Sequence, residues 1–188
     1  GALANDFWQT QGINVGASLV DDSVAVSQLR IGVYKLILPT DILISKGWTL
    51  GQVQNLVSQG SAALSNLKID PYISEVRNLE AEEAIVDIGP RSAENFAKII
   101  REAELVIWNG PFGLPKVGQF NSGTDIIAKA VDKAKKSIIG GGETIEAVTR
   151  LGLLNKYSYV STGGGAMLEF LSGRRLPGLE ALGYYDEI

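Results

Sequence analysis

The chain has 188 residues, 45% of them hydrophobic, with 22 Gly, 6 Pro, no Cys and no His. That suits one good-sized α/β domain with a continuous core, or at most two small ones. Seventeen Lys+Arg against 21 Asp+Glu leave a net charge of -4, so nucleic acid is not an expected partner, and the missing Cys and His exclude disulfides, thiolate and imidazole metal sites and His-based triads.

Residues 2–11 have helical spacing, with Leu3 and Phe7 on one face and a stop at Gly12. Val33 to Leu38 is a β-rich run ending at Pro39, and Ile42 to Ile44 is a candidate second strand. Leu50, Val53, Leu56 and Val57 predict a helix within 49–66. Ala84 to Asp87 is a compact apolar strand running into Ile88-Gly89-Pro90. Ser92 is a candidate cap for a helix to about Ala103, and Asp87 reads as part of a turn and cap. Leu105 to Trp108 is the next strand, ending in Asn109-Gly110-Pro111. A helix starts at Ser122 or Thr124, with Ile126, Ile127, Ala130 and Ala134 inward. Ser137 to Ile139 is a strand ending in Gly140-Gly141-Gly142, and a helix follows from Glu143 to about Leu151. Tyr157 to Val160 is a strand ending in Thr162-Gly163-Gly164-Gly165, and Ala166 to Leu171 is the last helix.

Short apolar strands alternating with amphipathic helices predict a Rossmann-like parallel sheet with helices on both faces, a three-layer αβα domain over 1–188. Right-handed crossovers gather the strand ends along one edge, where open α/β sheets bind ligands. The Gly-rich loops at 109–113, 140–142 and 163–165 all fall there. Helix N-termini carry unpaired N–H groups and partial positive charge, and glycine lets an anion approach them. One such loop is equally well read as a tight turn; three on one edge favour a polyphosphate ligand. Glu143 suits either the helix dipole or a Mg²⁺ ion beside phosphates. Thr144 suits a phosphate contact or a cap, and Asn109 a ligand contact or a turn. The dinucleotide GxGxxG fails at Ile145, and the P-loop spacing of Gly173 and Gly178 is followed by Leu179-Glu180, so a Rossmann dehydrogenase and a P-loop ATPase are disfavoured. The pattern also admits a nucleotide-binding module without catalysis, or a purely structural domain.

The motifs Trp108-Asn-Gly-Pro-Phe-Gly113, Gly140-Gly-Gly-Glu-Thr144, Ser161-Thr-Gly-Gly-Gly-Ala166 and Leu176-Pro-Gly178, with Asp87-Ile-Gly-Pro90, Gly1-Ala-Leu-Ala-Asn-Asp-Phe7 and Leu38-Pro-Thr-Asp41, resemble the C-terminal, nucleotide-binding half of phosphoglycerate kinases. The resemblance covers nearly the whole chain and is strongest from Asp87 to Leu182. It implies a glycolytic and gluconeogenic transferase that moves a phosphoryl group reversibly between 1,3-bisphosphoglycerate and ADP, giving 3-phosphoglycerate and ATP, with Mg²⁺. It implies that Asn109, Gly110, Pro111, Gly113 and Leu114 line the ribose and phosphate side of the nucleotide, that Gly1 and Ala2 lie near the adenine with Val86 opposite, that Glu143 binds Mg²⁺ and that Thr144 contacts phosphate. Gly141, Gly142, Gly164 and Gly165 would offer amides to the transferring group.

Three departures stand out. Glu143 replaces the family's Asp. Leu114-Pro115-Lys116 replaces Val-Phe-Glu, and Lys116 cannot accept the ribose hydroxyl hydrogen bonds that the Glu ordinarily takes. Residues 49–81 match poorly. The start at Gly1 has neither an initiator Met nor a basic signal region, and no apolar run approaches the roughly 20 residues of a membrane span. The expectation is an internal start, with the phosphoglycerate-binding domain and the first segment of this domain upstream, in a soluble, cytoplasmic, monomeric protein. On that expectation the 188 residues bind Mg-nucleotide but do not turn over alone.

Overall fold

The computed structural model describes residues 1–21, 36–47, 51–52, 70–114 and 116–186. Most of the helix expected within 49–66 and the first half of the strand expected at 33–38 lie outside these residues. Gly51 and Gln52 are helical, and residues 36–38 carry no strand. Instead Leu36 and Ile37 keep about two-fifths of their surface exposed, and they wall the cleft described below.

The chain opens with α1 (Ala2–Thr10). Among the described residues the next strands are β1 (Asp41–Lys46), β2 (Tyr72–Glu75) and β3 (Glu83–Ile88). Then come α2 (Pro90–Glu102), β4 (Val106–Asn109), α3 (Ser122–Val131), β5 (Ser137–Gly140) and α4 (Gly142–Arg150). The chain continues with β6 (Tyr159–Ser161), α5 (Gly164–Leu171) and the single turn α6 (Pro177–Ala181). The α/β class read from the sequence holds, and each predicted strand from Ala84 onward lies within two residues of its expected place.

β4, β5 and β6 pair in parallel, with Asn109 opposite Gly140 and Gly140 opposite Ser161. Crossover helices impose that order: α3 carries the chain from β4 to β5, and α4 from β5 to β6. β1 pairs antiparallel with both β2 and β3, in a second ladder ordered β2-β1-β3 with a register shift between Leu43 and Ile44. The parallel arrangement expected for all the strands therefore belongs to β4–β6 among the described residues. Among the described residues the core lies in three buried clusters: around Val86 and Phe120, around Trp108, Ile127 and Ile139, and around Trp8, Ile42 and Ile44.

Two helices are capped from a distance by strand carboxylates. Asp41 of β1 accepts hydrogen bonds from the backbone N–H groups of Arg91 (3.1 Å) and Ser92 (2.7 Å) at the start of α2. Ser92 was the expected cap. Its hydroxyl instead bonds the Asp41 side chain and accepts from the backbone of Thr40. The helix begins earlier, at Pro90, where proline's missing N–H costs nothing. Gly89 is needed at the junction, because a Cβ there would stand 2.3 Å from the Asp41 carboxylate. Asp87 of β3 likewise accepts from Gly123 N–H (2.8 Å) at the start of α3 and from its neighbour Ile88 (2.8 Å). Both carboxylates meet the positive end of a helix.

The helical faces differ in detail from expectation. Leu3 is 55% exposed while Asn5, Asp6, Phe7 and Trp8 are all buried. Asn5 donates to the Leu19 carbonyl at 2.7 Å and Asp6 accepts from Asp21 N–H at 2.9 Å, so α1 buries polar side chains that hold the following segment. In α3, Ile127, Ala128, Ala130 and Val131 are buried and Ile126 is half-buried, while Ala134, expected to face inward from this helix, lies beyond its end and is half-buried.

Candidate functional site

The strand-end loops converge on Asn109, the last residue of β4. The backbone turns immediately after it, with Gly110 at φ +97°, a conformation that favours glycine. Five hydrogen bonds then fix the loop. Trp108 Nε1 donates to Gly110 O at 2.6 Å, and Gly110 N–H donates to Thr144 Oγ1 at 2.8 Å. Phe112 and Gly113 N–H both donate to Thr124 Oγ1, at 3.1 and 3.4 Å. Leu114 N–H donates to Val86 O at 3.1 Å. The 109–114 loop is thus tied to β3, α3 and α4 at once. Gly113 sits so tightly that a Cβ would meet Phe120 O at 2.1 Å and the Asp87 carboxyl carbon at 2.7 Å.

On one side of Asn109 lies the glycine edge. Its side-chain amide donates to Gly164 O at 3.0 Å. Gly141 precedes α4 at φ +90°, and Gly164 opens α5 against it: a Cβ on Gly164 would stand 2.5 Å from Gly141 N. Only glycines let the two helix starts approach this closely. Among the described residues neither helix has a side-chain cap, which leaves the first-turn amides to solvent or a ligand. Gly142 and Gly165 are exposed there.

On the other side lies a cleft of about 530 Å³. Gly1 and Ala2 border it from the start of α1, Val86 from β3, Asn109, Gly110, Pro111, Gly113 and Leu114 from the loop, and Glu143 from α4. The α1 end is held against the loop by the Gly1 amine, which donates to Phe112 O at 3.1 Å. Its walls are mainly apolar, with Leu3, Leu38, Ile88 and Phe96 among them. An apolar cleft with few convergent polar groups is the usual form of a small-molecule site.

The charges are sparse. Lys116 Nζ and Glu143 Oε1 stand 3.9 Å apart, both on the cleft wall. Lys116 is the only basic side chain among the described residues of the cleft. Burial pushes the Asp87 carboxyl up to about 6, despite hydrogen bonds from Gly123 and Ile88 that oppose the rise. Asp41 goes the other way: burial raises it, but the bonds from Ser92 and Arg91 outweigh that and hold it below its ordinary value. Among the described residues no three acidic side chains gather as a metal cluster. A lone carboxylate nevertheless suits Mg²⁺ when phosphate oxygens complete the shell, and Glu143, facing the cleft, has that chemistry.

The sequence-predicted residues therefore divide into two adjoining groups. Gly1, Ala2, Val86, Asn109, Gly110, Pro111, Gly113, Leu114 and Glu143 border the cleft. Gly141, Gly142, Gly164 and Gly165 form the glycine edge beyond Asn109. Thr144 is buried between the two, its hydroxyl accepting from Gly110. Sequence reasoning missed Thr124, read only as a helix start, which anchors the loop from inside. It also missed the apolar wall at 36–39 and the pairing of Lys116 with Glu143; residues 27 positions apart give no local signal of such a contact.

Comparisons with known proteins fit this geometry. The family model for phosphoglycerate kinase matches residues 1–174. The phosphoglycerate kinase of Baumannia cicadellinicola is 38% identical over 184 residues, covering 97% of this chain and 43% of that protein. That of Pelotomaculum thermopropionicum is 36% identical over 189 residues, covering 97% and 44%. The solved phosphoglycerate kinase of Coxiella burnetii superposes with a TM-score of 0.77 at 30% identity, over 96% of this chain and 44% of that one. The enzyme from Pyrococcus horikoshii gives 0.67 at 25% identity, over 99% and 44%. The chain spans under half the length of these relatives. With a family model matched over nearly its whole length, and the same backbone in solved members, the chain belongs to the phosphoglycerate kinase family.

Proposed function

We propose that this chain is the nucleotide-binding part of a phosphoglycerate kinase, which transfers a phosphoryl group reversibly between 1,3-bisphosphoglycerate and ADP, giving 3-phosphoglycerate and ATP. The observation that carries the reading is the cleft beside Asn109, which gathers α1, β3, the 109–114 loop and Glu143 next to two uncapped, glycine-lined helix starts. In this reading the adenine packs between Gly1-Ala2 and Val86. The ribose follows the 110–114 loop, and the phosphates run toward Glu143, Thr144 and the glycine edge. Glu143 would hold Mg²⁺ together with phosphate oxygens, and the ion would supply neutralising charge when bound. The amides at Gly141, Gly142, Gly164 and Gly165 would face the transferring group.

Phosphoryl transfer depends mainly on positioning and charge stabilisation. The cleft offers little positive charge, so we expect the 188 residues to bind nucleotide without appreciable turnover. The phosphoglycerate would be held by the remainder of the enzyme. A cytoplasmic monomer acting in glycolysis and gluconeogenesis completes the proposal. No helix among the described residues is long and apolar enough to cross a membrane.

Calorimetric titration of Mg-ADP into the purified chain tests it. Saturable binding, weakened at least about tenfold by Asn109→Ala in a protein that keeps its circular dichroism, is the expected result. Absence of binding up to millimolar ADP would refute it.

A further inference from the structure

Lys116 and Glu143 meet at the cleft wall from different parts of the chain, 3.9 Å apart and each partly buried, with side-chain exposures of 30% and 39%. A carboxylate alone at this place would repel the phosphates of an incoming nucleotide unless a divalent cation stood between them. Here an ammonium already stands beside it. Lysine is a donor-only cation with three rotatable N–H groups, able to bond phosphate oxygens but not to accept from a hydroxyl. A metal ion entering the same space would meet Lys116 as a like charge.

We infer that Lys116 takes the place of a divalent cation in nucleotide binding, so that the cleft accepts a metal-free nucleoside diphosphate nearly as well as its Mg²⁺ complex, an inference that rests on the nucleotide reading of the cleft. Lys116 neutralises Glu143 in the empty cleft and turns to the phosphates in the filled one. Glu143 ligates Mg²⁺ when it is present; without metal its charge opposes the phosphates, and Lys116 offsets it. Dependence on Mg²⁺ for binding is thereby a property that one side chain sets, apart from any dependence of the phosphoryl-transfer step.

Calorimetric titration of ADP, once with EDTA and once with excess Mg²⁺, distinguishes the possibilities. For the unmodified chain the two dissociation constants should lie within about fivefold of each other. Lys116→Met should weaken metal-free ADP about tenfold or more while changing Mg-ADP much less, opening a gap between the two conditions. Lys116→Gln should do the same, and guards against a packing defect particular to Met. Glu143→Gln should bind metal-free ADP at least as tightly as the unmodified chain. Three results would overturn the inference while leaving the nucleotide reading intact: unmodified chain that binds ADP only with Mg²⁺, Lys116 variants that bind metal-free ADP unchanged, or Glu143→Gln that loses it. No binding in either condition, by chain shown to be folded, would overturn the nucleotide reading and this inference together.

Discussion

Replacing Gly164 by alanine sets a methyl group into occupied space. The new Cβ would stand 2.5 Å from Gly141 N, 2.6 Å from Gly141 Cα and 3.2 Å from Asn109 Nδ2. None of these atoms yields easily. Gly141 is backbone at φ +90° in front of α4, and the Asn109 amide is already bonded to Gly164 O. Overpacking of this kind costs about 1–3 kcal/mol. Alanine recovers some of that, roughly 0.4–1 kcal/mol, by restricting the unfolded chain. The net expectation is a loss of about 1–2 kcal/mol, equivalent to a fall in Tm of roughly 2–8 °C for a chain of this size. Gly165, one residue along the same helix, is an internal control. A Cβ there meets nothing within 4 Å, so Gly165→Ala should leave stability unchanged or raise it by up to about 1 kcal/mol. Urea unfolding followed by circular dichroism gives both values. Because Gly164→Ala also separates the two helix starts, it should weaken ADP binding in parallel. Equal stability of the two variants would refute the close approach of α4 and α5 at Gly141 and Gly164.

Other outcomes follow from single contacts. Thr144→Val keeps the shape of a fully buried side chain and removes the acceptor for Gly110 N–H; a loss of about 1–2 kcal/mol in urea unfolding is expected, with Thr144→Ser close to the parent. Arg77, itself partly exposed, bonds the buried Glu83 at 2.9 and 3.0 Å, and Tyr72, Lys46 and the Glu80 N–H still face that carboxylate without it, so Arg77→Met should cost about 1–2 kcal/mol at neutral pH. The Arg77 hydrogen bond holds Glu83 well below its ordinary 4.5; the stability this gives is present above that value and lost as pH falls into the acid range, a loss Arg77→Met should blunt. Asp87 has the opposite sign. Burial raises it from 3.8 to about 6, so the folded protein keeps this proton longer than the unfolded chain. Its contribution is full below 3.8 and lost as pH rises through about 6, by up to roughly 3 kcal/mol between those limits. Unfolding free energies at pH 5 and pH 8 should differ less in Asp87→Asn than in the parent, and equal differences would contradict the burial of that carboxyl.

How much of this was legible in the sequence depended on distance along the chain. The strands at 84, 106, 137 and 159 announced themselves as short apolar runs that end near glycine, although Ile107 and Tyr159 leave one face of β4 and β6 exposed. The strand-end loops were legible from their glycines: Gly110 and Gly141 stand where the backbone turns at positive φ, and Gly164 where two backbones nearly touch. Asp41 was not legible as a cap, and Asp87, read as part of a turn and cap beside Pro90, caps α3 through Gly123 instead. Each serves its helix from a strand packed beside it, and such a partner appears only after folding. Ser92 drew attention as a local cap because its residue type fits the pattern, but the helix begins two residues earlier, at Pro90, and the first free amides, those of Arg91 and Ser92, go to Asp41. The antiparallel ladder of β1 and β2 was hidden as well, since a strand of four to six residues does not declare which way it runs. The Lys116–Glu143 pair joins a loop to a helix across the cleft, and neither residue alone suggests the other.

The most direct test of the nucleotide site is a ¹⁵N–¹H spectrum of the chain titrated with Mg-ADP. The geometry predicts saturable shifts concentrated on the amides of Ala2, Val86, Gly110, Phe112 to Leu114 and Gly142 to Thr144, with α2 and the outer face of α3 undisturbed. No saturable shift, or shifts confined to surfaces away from Asn109, would contradict the assignment of this cleft to a nucleotide.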